Sequence, residues 1–303
     1  MAKTIGVTIT ERISTGLVVD HKLEGGLRRF PESEDDVDAL VELHTDALVD
    51  TVCEQVVLAA NGAKDIQAVG VAVPGLIKSG VVEEAPNLPQ LKGARMQELL
   101  AMRLRTHDIN AAVTVVNDAD GMAAGLASIH GKLDSMIRVW TLGVGIGYGR
   151  YPFSHGVWEG GHSVVTMDEK ERFCGCGGRG HMEGIMGHRA MRLRFLDMEP
   201  EEVFEAAKQG DARCMDFKRL WHKALAAASA TSIHMAGPGK FYLTGFNARF
   251  LDMPMLKDYM QQMVKMSPLQ SYSLEIVEED PKVRIIGAAV AAEQAAVKAG
   301  SRG

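Results

Sequence analysis

Four side chains have the types and spacing of a metal site. They are His162, Cys174, Cys176 and His181, in the pattern H-x11-C-x-C-x4-H. Two thiolates and two imidazoles make a complete tetrahedral zinc set. Four protein ligands leave no open position for water, so the expected zinc is structural. Gly175, Gly177, Gly178 and Gly180 are interleaved with the thiols and let the backbone turn tightly around an ion. Thiols two residues apart suit a metal better than a disulfide. The other two cysteines, Cys53 and Cys214, fall in helical stretches and read as buried thiols.

A second group could do acid–base chemistry. Asn117-Asp118 follows the apolar, β-branched stretch Ala112 to Val116. In open α/β sheets, ligands bind outside the carboxyl ends of the strands. An Asp placed there can accept a proton from a substrate hydroxyl, and an Asn can orient that hydroxyl. The competing reading of the pair is a helix N-cap. Asp120 falls in the first turn of the helix that follows and reads as helix-terminus electrostatics. Glu159 lies three residues before His162, and Glu183 two residues after His181. A metal that pins both histidines also pins the loops carrying both glutamates. Preorganised polar groups are what a polyhydroxylated ligand needs, because each hydroxyl must find a partner. Taken singly, each Glu reads as a surface residue. Arg179, His188 and His155 read as local structural or solvent-facing residues.

The elements that must hold these residues alternate between strand and helix. Thr4 to Thr10 and Gly16 to Asp20 read as a hairpin. Residues 31–63 contain nine acids and no Lys or Arg. Within them Val37, Leu40, Val41, Leu48, Val52 and Val56 recur at helical spacing, with Ser33 as a cap and Asn61-Gly62 as a stop. The acids there read as a solvated helix face. Ala68 to Val73 is a buried strand ending at Pro74-Gly75, and Leu91 to His107 reads as a helix. Gly121 to His130 is helical, and Arg138 to Leu142 is a strand that runs into Gly143, Gly145, Gly147 and Gly149. Lys240 to Thr244 is a late strand ending at Gly245, and Gly287 to Lys298 is an alanine-rich helix. This alternation indicates an α/β fold. Ile5 to Asp20 and Val139 to Phe153 echo one another as strand, turn, strand. The echo predicts two related halves, residues 1–119 and 120–286, with the last helix, 287–303, packing back on the first.

The chain has 303 residues, 46% hydrophobic and 24% charged, which excludes disorder as its main state. The net charge of −6 argues against nucleic acid as a main partner. No stretch approaches the roughly 20 apolar residues that span a bilayer, so no membrane partner is expected. The N-terminus lacks a signal peptide's apolar segment, so a cytoplasmic protein is expected. The 17 methionines read as core filling.

Glu159-Gly-Gly-His162 followed by Cys174-Gly-Cys176-Gly-Gly-Arg-Gly-His181-Met-Glu183 resembles the signature of the ROK family of sugar kinases and regulators. The family's third cysteine is His181 here, and histidine remains a zinc ligand. The resemblance covers most of the chain, in the family's order. Val69 to Gly75 resembles its strand and turn G-x-G-x-P-G, and Pro86-Asn-Leu-Pro89 its N-L-P loop. Val116-Asn-Asp-Ala119 resembles the motif with the catalytic Asp. Leu142-Gly-Val-Gly-Ile-Gly147 resembles L-G-T-G-I-G, and Gly287-Ala-Ala289 the G-A-A of the last helix. The resemblance implies an actin-like ATPase (ribonuclease H-like) fold, two domains with a central cleft. It implies that Asn117, Asp118, Glu159, His162 and Glu183 hold sugar hydroxyls, with Asp118 as general base. It implies transfer of the ATP γ-phosphoryl group to a hexose hydroxyl with Mg²⁺, and a homodimer or homotetramer. Nucleotide contacts fall by carry-over on Gly143, Gly145, Gly147 and Gly245.

The nucleotide side departs from the family pattern. Family kinases begin D-x-G-G-T-K, where this chain has Thr8-Ile9-Thr10-Glu11-Arg12-Ile13. The acid at the metal–phosphate end is Thr8, and both glycines are lost. Glu11 places negative charge where phosphates approach. The second phosphate loop has Val144 in place of a threonine, and the paired glycines after the late strand are Gly245-Phe246. These departures set ATP and Mg²⁺ binding in question. They leave three readings open: a sugar kinase with a modified donor site, in which Arg12 meets phosphate; a non-kinase sugar-binding or regulatory protein; and nucleotide-independent sugar chemistry using Asp118 and a Glu. A DNA-binding repressor is not expected, because the first hairpin begins at residue 4 with no room for a helix-turn-helix ahead of it.

Overall fold

The computed structural model describes residues 3–300 except Glu34, Val37, Lys64, Ser154, His155 and Val157, with backbone alone for Ala299 and Gly300. In chain order the elements are β1 (Lys3–Ile9), β2 (Ile13–Val19), β3 (Lys22–Phe30), α1 (Thr45–Ala60), β4 (Ile66–Val73), β5 (Leu76–Lys78), β6 (Val81–Glu84), α2 (Met96–Arg105), β7 (Ala112–Asn117) and α3 (Asp118–Ile129). They continue with β8 (Ile137–Leu142), β9 (Ile146–Tyr151), α4 (Met182–Met186), α5 (His188–Arg194), α6 (Pro200–Lys208), α7 (Ala212–Ala236), β10 (Lys240–Thr244), α8 (Met253–Met263), β11 (Ser273–Ile276) and α9 (Pro281–Gly300). The expected α/β class is what the chain adopts.

Two compact units result. The first comprises Met1–Ile137, Gly149–Trp158 and Asp280–Gly303, and the second Arg138–Tyr148 and Glu159–Glu279. The first unit is built on a five-stranded sheet ordered β3-β2-β1-β4-β7. β1, β2 and β3 run antiparallel, and β1, β4 and β7 parallel. Ile5, Val7 and Ile9 of β1 alternate with Gly6 and Thr8, so one face of the strand is apolar. That face packs with Val69, Val71 and Val73 of β4 against Val49, Val52 and Val56 of α1 and Leu100 and Leu104 of α2. The opposite face is covered by α9.

The halves differ from the expected 1–119 and 120–286. Helix α3 stays in the first unit because it packs tightly on α9. A Cβ at Gly287 of α9 would stand 1.7 Å from the Gly121 carbonyl oxygen of α3, so only glycine permits this approach. Residues 149–158 also return to the first unit.

The second unit holds a four-stranded sheet ordered β11-β10-β8-β9. Its core gathers Trp140 and Leu142 of β8, Phe241 and Leu243 of β10, and Trp221, Leu225 and Ile233 of the 25-residue α7. The Arg138 guanidinium is buried at the end of α7, where it donates to the Ser232 and Gly237 carbonyls. The C-terminal end of a helix favours a cation there.

Two expected elements shift, and one strand is added. The helix expected from Ser33 starts at Thr45, with His44 at its N-cap. Leu40 is buried, but from a turn, so it reaches the core without being helical. Val37 lies outside the described residues. The helix ends as expected, with Asn61 in the left-handed conformation at φ 47°. The helix expected over 91–107 is split into a short 3-10 turn, Pro89–Leu91, and α2, with Gly93 at φ +78° between them. β3 was not expected. Its sequence, KLEGGLRRF, is polar on both faces because it is an exposed edge strand.

Candidate functional site

The metal-type residues converge within the second unit. His162 ends a short 3-10 turn, Gly160–His162, whose glycines lie against Tyr148 and Ile146 of β9. The loop beyond returns to it through three backbone bonds: Val165 N–H to Gly180 O at 2.8 Å, Met182 N–H to Ser163 O at 2.9 Å, and Gly180 N–H to Glu171 O at 2.8 Å. Glu171 is in turn held by Arg194, whose Nη1 lies 2.9 Å from Oε1 in a two-pronged pair. Gly177 N–H closes a turn on Cys174 O at 3.1 Å. Cys174 Sγ then lies 3.3 Å from Cys176 Sγ, and Cys176 Sγ lies 3.3 Å from His181 Nδ1. The His162 and His181 ring centroids are 5.3 Å apart. All four donor atoms lie within 4.8 Å of one another. Tetrahedral zinc, with bonds of about 2.0–2.3 Å, places its donors roughly 3.3–3.8 Å apart. The donor set therefore fits such an ion in chemistry and in spacing. Burial pushes the Cys174 thiol up to about 12, so a bound cation is what would keep it a thiolate at neutral pH. Burial and the neighbouring His162 push His181 down, against the opposing effect of Glu183.

A second triad, His188, Glu199 and Glu201, also has donors within 4.8 Å. Its groups have protein partners. Glu199 pairs with Arg192 and Glu201 with Arg249, and His188 Nδ1 lies 3.1 Å from Asn247 Oδ1. It is a structural cluster.

Glu159 Oε2 lies 3.9 Å from His162 Nε2. Glu183 sits in the first turn of α4, and its carboxylate points inward. Oε2 accepts the Ile146 N–H at 3.0 Å, and Oε1 lies 3.7 Å from Cys174 Sγ. Its immediate partners are thus the glycine loop 143–147 and a metal-type cysteine. A Cβ at Gly145 would stand 2.6 Å from Glu183 Oε2, so the carboxylate lies close against the loop. Gly143 N–H bonds Gly145 O at 3.0 Å, tightening the loop. Its near end is held by Asn247, which is buried and donates from Nδ2 to Gly143 O at 3.0 Å, and by the His188 N–H on the same oxygen, also at 3.0 Å. Val144 projects from the loop, 63% exposed. Phe246 packs edge-on to His188, with centroids 5.2 Å apart, and remains 43% exposed. Gly245 has φ +95°, as the turn out of β10 requires. A cavity of 710 Å³ opens in this unit beside Val144, His188, Arg189 and Arg192.

Within the first unit, Asn117 and Asp118 stand where expected, at the carboxyl end of β7. The cap reading of Asn117 is realised. Its Oδ1 accepts the Ala119 N–H at 2.8 Å and the Asp120 N–H at 3.3 Å, and its Nδ2 donates to Gly75 O at 2.8 Å. Asp118 is the half-buried first residue of α3. Asp120 does more than complement a helix terminus. Its Oδ1 accepts the Arg150 N–H at 2.9 Å, and burial, with nearby Asp118 adding to it, pushes its carboxyl up to about 6. At the β1–β2 turn Thr8 is buried and Glu11 exposed. The Arg12 guanidinium is turned onto the Pro31 and Glu32 carbonyls. His155 lies outside the described residues. Cys53 and Cys214 are buried and free, as expected.

Asn247, and the inward role of Glu183, escaped the sequence. Asn247 follows Gly245-Phe246, and a polar residue just after a buried strand was the one available signal.

A family model described as ROK family matches residues 33–295. A glucokinase of Pyrobaculum calidifontis is 28% identical over 253 residues, covering 78% of this chain and 77% of that protein. A glucokinase of Thermotoga maritima is 28% identical over 233 residues, covering 66% and 70%. Among solved structures, a ROK hexokinase from Thermus thermophilus aligns over 98% of this chain and 100% of its own, with TM-score 0.78 and 20% identity. A ROK family glucokinase from Streptomyces griseus, solved with glucose and AMPPNP, aligns over 97% and 100%, with TM-score 0.65 and 22% identity. These likenesses bear out the expected actin-like ATPase fold. Nothing among them supports the question raised over ATP and Mg²⁺ binding.

Proposed function

This chain belongs to the ROK family, and from that premise we propose that it is a carbohydrate kinase that phosphorylates a hexose hydroxyl. The observation that carries the reading is the cap. Asn117 fixes the first turn of α3 and so sets Asp118 at the carboxyl end of β7. Asp118 is the general base: it accepts the hydroxyl proton as the sugar oxygen bonds to the γ-phosphorus, and the bond to the departing ADP oxygen breaks. Asn117 is a positioning residue for it, and its amide also meets a sugar hydroxyl. In the second unit Glu159 and His162 hold sugar hydroxyls. If one ring nitrogen were on a bound metal, His162 would keep the other for the substrate. Glu183 completes the sugar-binding residues carried over.

His162, Cys174, Cys176 and His181 would hold zinc, which when bound supplies a rigid crosslink of the loop that carries them. Gly143, Gly145, Gly147 and Gly245 form the phosphate side of the donor site, beside the 710 Å³ cavity and its arginines. Position 8 offers no carboxylate to Mg²⁺. Such an ion is held mainly by the donor phosphates and water and requires few protein ligands. No described helix is long and apolar enough to cross a membrane. A cytoplasmic homodimer or homotetramer completes the reading.

One observation favours a second reading, sugar binding without phosphoryl transfer: the residue at the metal–phosphate position, Thr8, is a buried threonine. A panel of hexoses assayed for ADP release with Mg–ATP separates the two. Release with at least one hexose supports the kinase. Binding of a hexose with no release from any of them supports the second reading.

A further inference from the structure

We propose that Glu183 couples the metal centre to the glycine loop, so that metal occupancy sets the order of residues 143–147. The inference rests on the metal reading of His162, Cys174, Cys176 and His181, and not on kinase activity. Two clamps hold the loop. At its start, the Gly143 carbonyl accepts from Asn247 Nδ2 and the His188 N–H, both at 3.0 Å. At its end, the Ile146 N–H is held by Glu183 Oε2, also at 3.0 Å. The first clamp draws on Asn247, far from the metal donors in the chain, and on His188, which begins α5 directly after α4. The second is built into the metal-donor segment. Glu183 stands two residues after His181, which is the N-cap of α4, and its Oε1 lies 3.7 Å from Cys174 Sγ. A cation on Cys174 and His181 anchors the backbone on both sides of the carboxylate; Cys174, then a thiolate, no longer donates to Oε1, so Glu183 is held through His181 and the start of α4. Without it, His181 is held by the backbone bonds of its neighbours, Val165 N–H to Gly180 O and Met182 N–H to Ser163 O, and its ring is released.

The contact surface between the two parts is close. A Cβ at Gly145 would meet Glu183 Oε2 at 2.6 Å, so the carboxylate fills the space under the loop. A displacement of α4 that carries this carboxylate away removes the acceptor of the Ile146 N–H. Buried N–H groups that lose their acceptor are costly, and the loop would reorganise to satisfy Ile146. Glu183 is a positioning residue in this role.

Hydrogen exchange read by mass spectrometry tests this without any turnover. Zinc is quantified in the purified chain, and exchange of the 143–147 amides is compared for zinc-loaded and chelator-stripped protein. Stripping should speed exchange there at least 10-fold. In Glu183→Ala the loaded protein should already exchange at the fast rate and show no response to metal. Asn247→Ala loosens the other clamp, so its loop should exchange faster yet keep its metal response. Wild-type exchange that is the same with and without zinc overturns the proposal, as does a metal response that survives in Glu183→Ala. A chain that takes up no zinc overturns both the proposal and the metal reading. ADP release from the same preparations reports separately on the kinase reading. If Glu183→Ala does not fold, the wild-type comparison decides alone.

Discussion

Asp120 Oδ1 accepts the backbone N–H of Arg150 at 2.9 Å, which fastens the end of β9 to the first turn of α3, the turn that begins with the proposed catalytic base. Burial raises the Asp120 carboxyl to about 6 in the folded protein, from an ordinary value near 3.8. The folded state then binds more protons than the unfolded state across that window, so this group's contribution to stability falls as pH rises from about 4 to 6. Asp120→Asn keeps an oxygen for Arg150 and removes the ionisation. Its melting temperature relative to wild type should be higher at pH 8 than at pH 4. Thermal melts across that range check this, and a constant difference would contradict it.

His222 has the opposite dependence. It is buried, its Nδ1 donates to Lys218 O at 2.8 Å, and its Nε2 accepts the Asp252 N–H at 2.8 Å. Both nitrogens are thus occupied by the neutral ring. Burial pushes its pKa down to about 4, from an ordinary 6.5. The unfolded state binds the extra proton between those values, so stability is lost as pH falls from about 6.5 to 4. His222→Gln should flatten this part of the acid limb of the stability profile while lowering stability at neutral pH. Urea melts at pH 7, 6 and 5 measure both effects.

Asn117→Ala removes two accepted bonds at the start of α3 and one donated bond to Gly75. A lost cap and tether should cost about 1–2 kcal/mol, read by chemical denaturation. Because the cap sets Asp118, kcat should fall further than stability alone explains, at temperatures where the variant is fully folded.

At the metal centre, His181→Cys exchanges one zinc ligand for another, and His181→Ala removes it. Zinc content by elemental analysis should stay near one per chain in the first and drop in the second. Zinc retained equally in both would place His181 outside the coordination sphere. Chelation should lower the melting temperature of the wild type and barely change that of His181→Ala.

What the sequence disclosed divides along a physical line. β1, β4, β7, α3 and β10 were legible because their apolar residues recur at one period and their ends carry Gly, Asn or Asp. The four metal-type residues were legible because their spacing is short and local, so a tight loop brings them together almost regardless of the rest. The start of α1 was misread because Leu40 is buried from a turn, and burial alone mimics helical spacing. β3 was missed because an exposed edge strand has no apolar face to show. Glu183 and Asn247 face inward onto the Gly143–Ile146 loop from elements 37 and 104 residues away along the chain. No local pattern records a partner at that distance. Arg12 went the same way: its charge was visible, but the Pro31 and Glu32 carbonyls that hold it were not.

The central claim is that Asp118 deprotonates a hexose hydroxyl for phosphoryl transfer. It is tested most directly by following ³¹P resonances while zinc-loaded protein is incubated with Mg–ATP and each hexose, comparing wild type with Asp118→Asn. A sugar-phosphate resonance should grow in step with ADP, at a rate lowered about 10²–10⁴-fold in a variant that still binds the sugar. No sugar phosphate from any hexose, or one formed equally fast by Asp118→Asn, would contradict the claim.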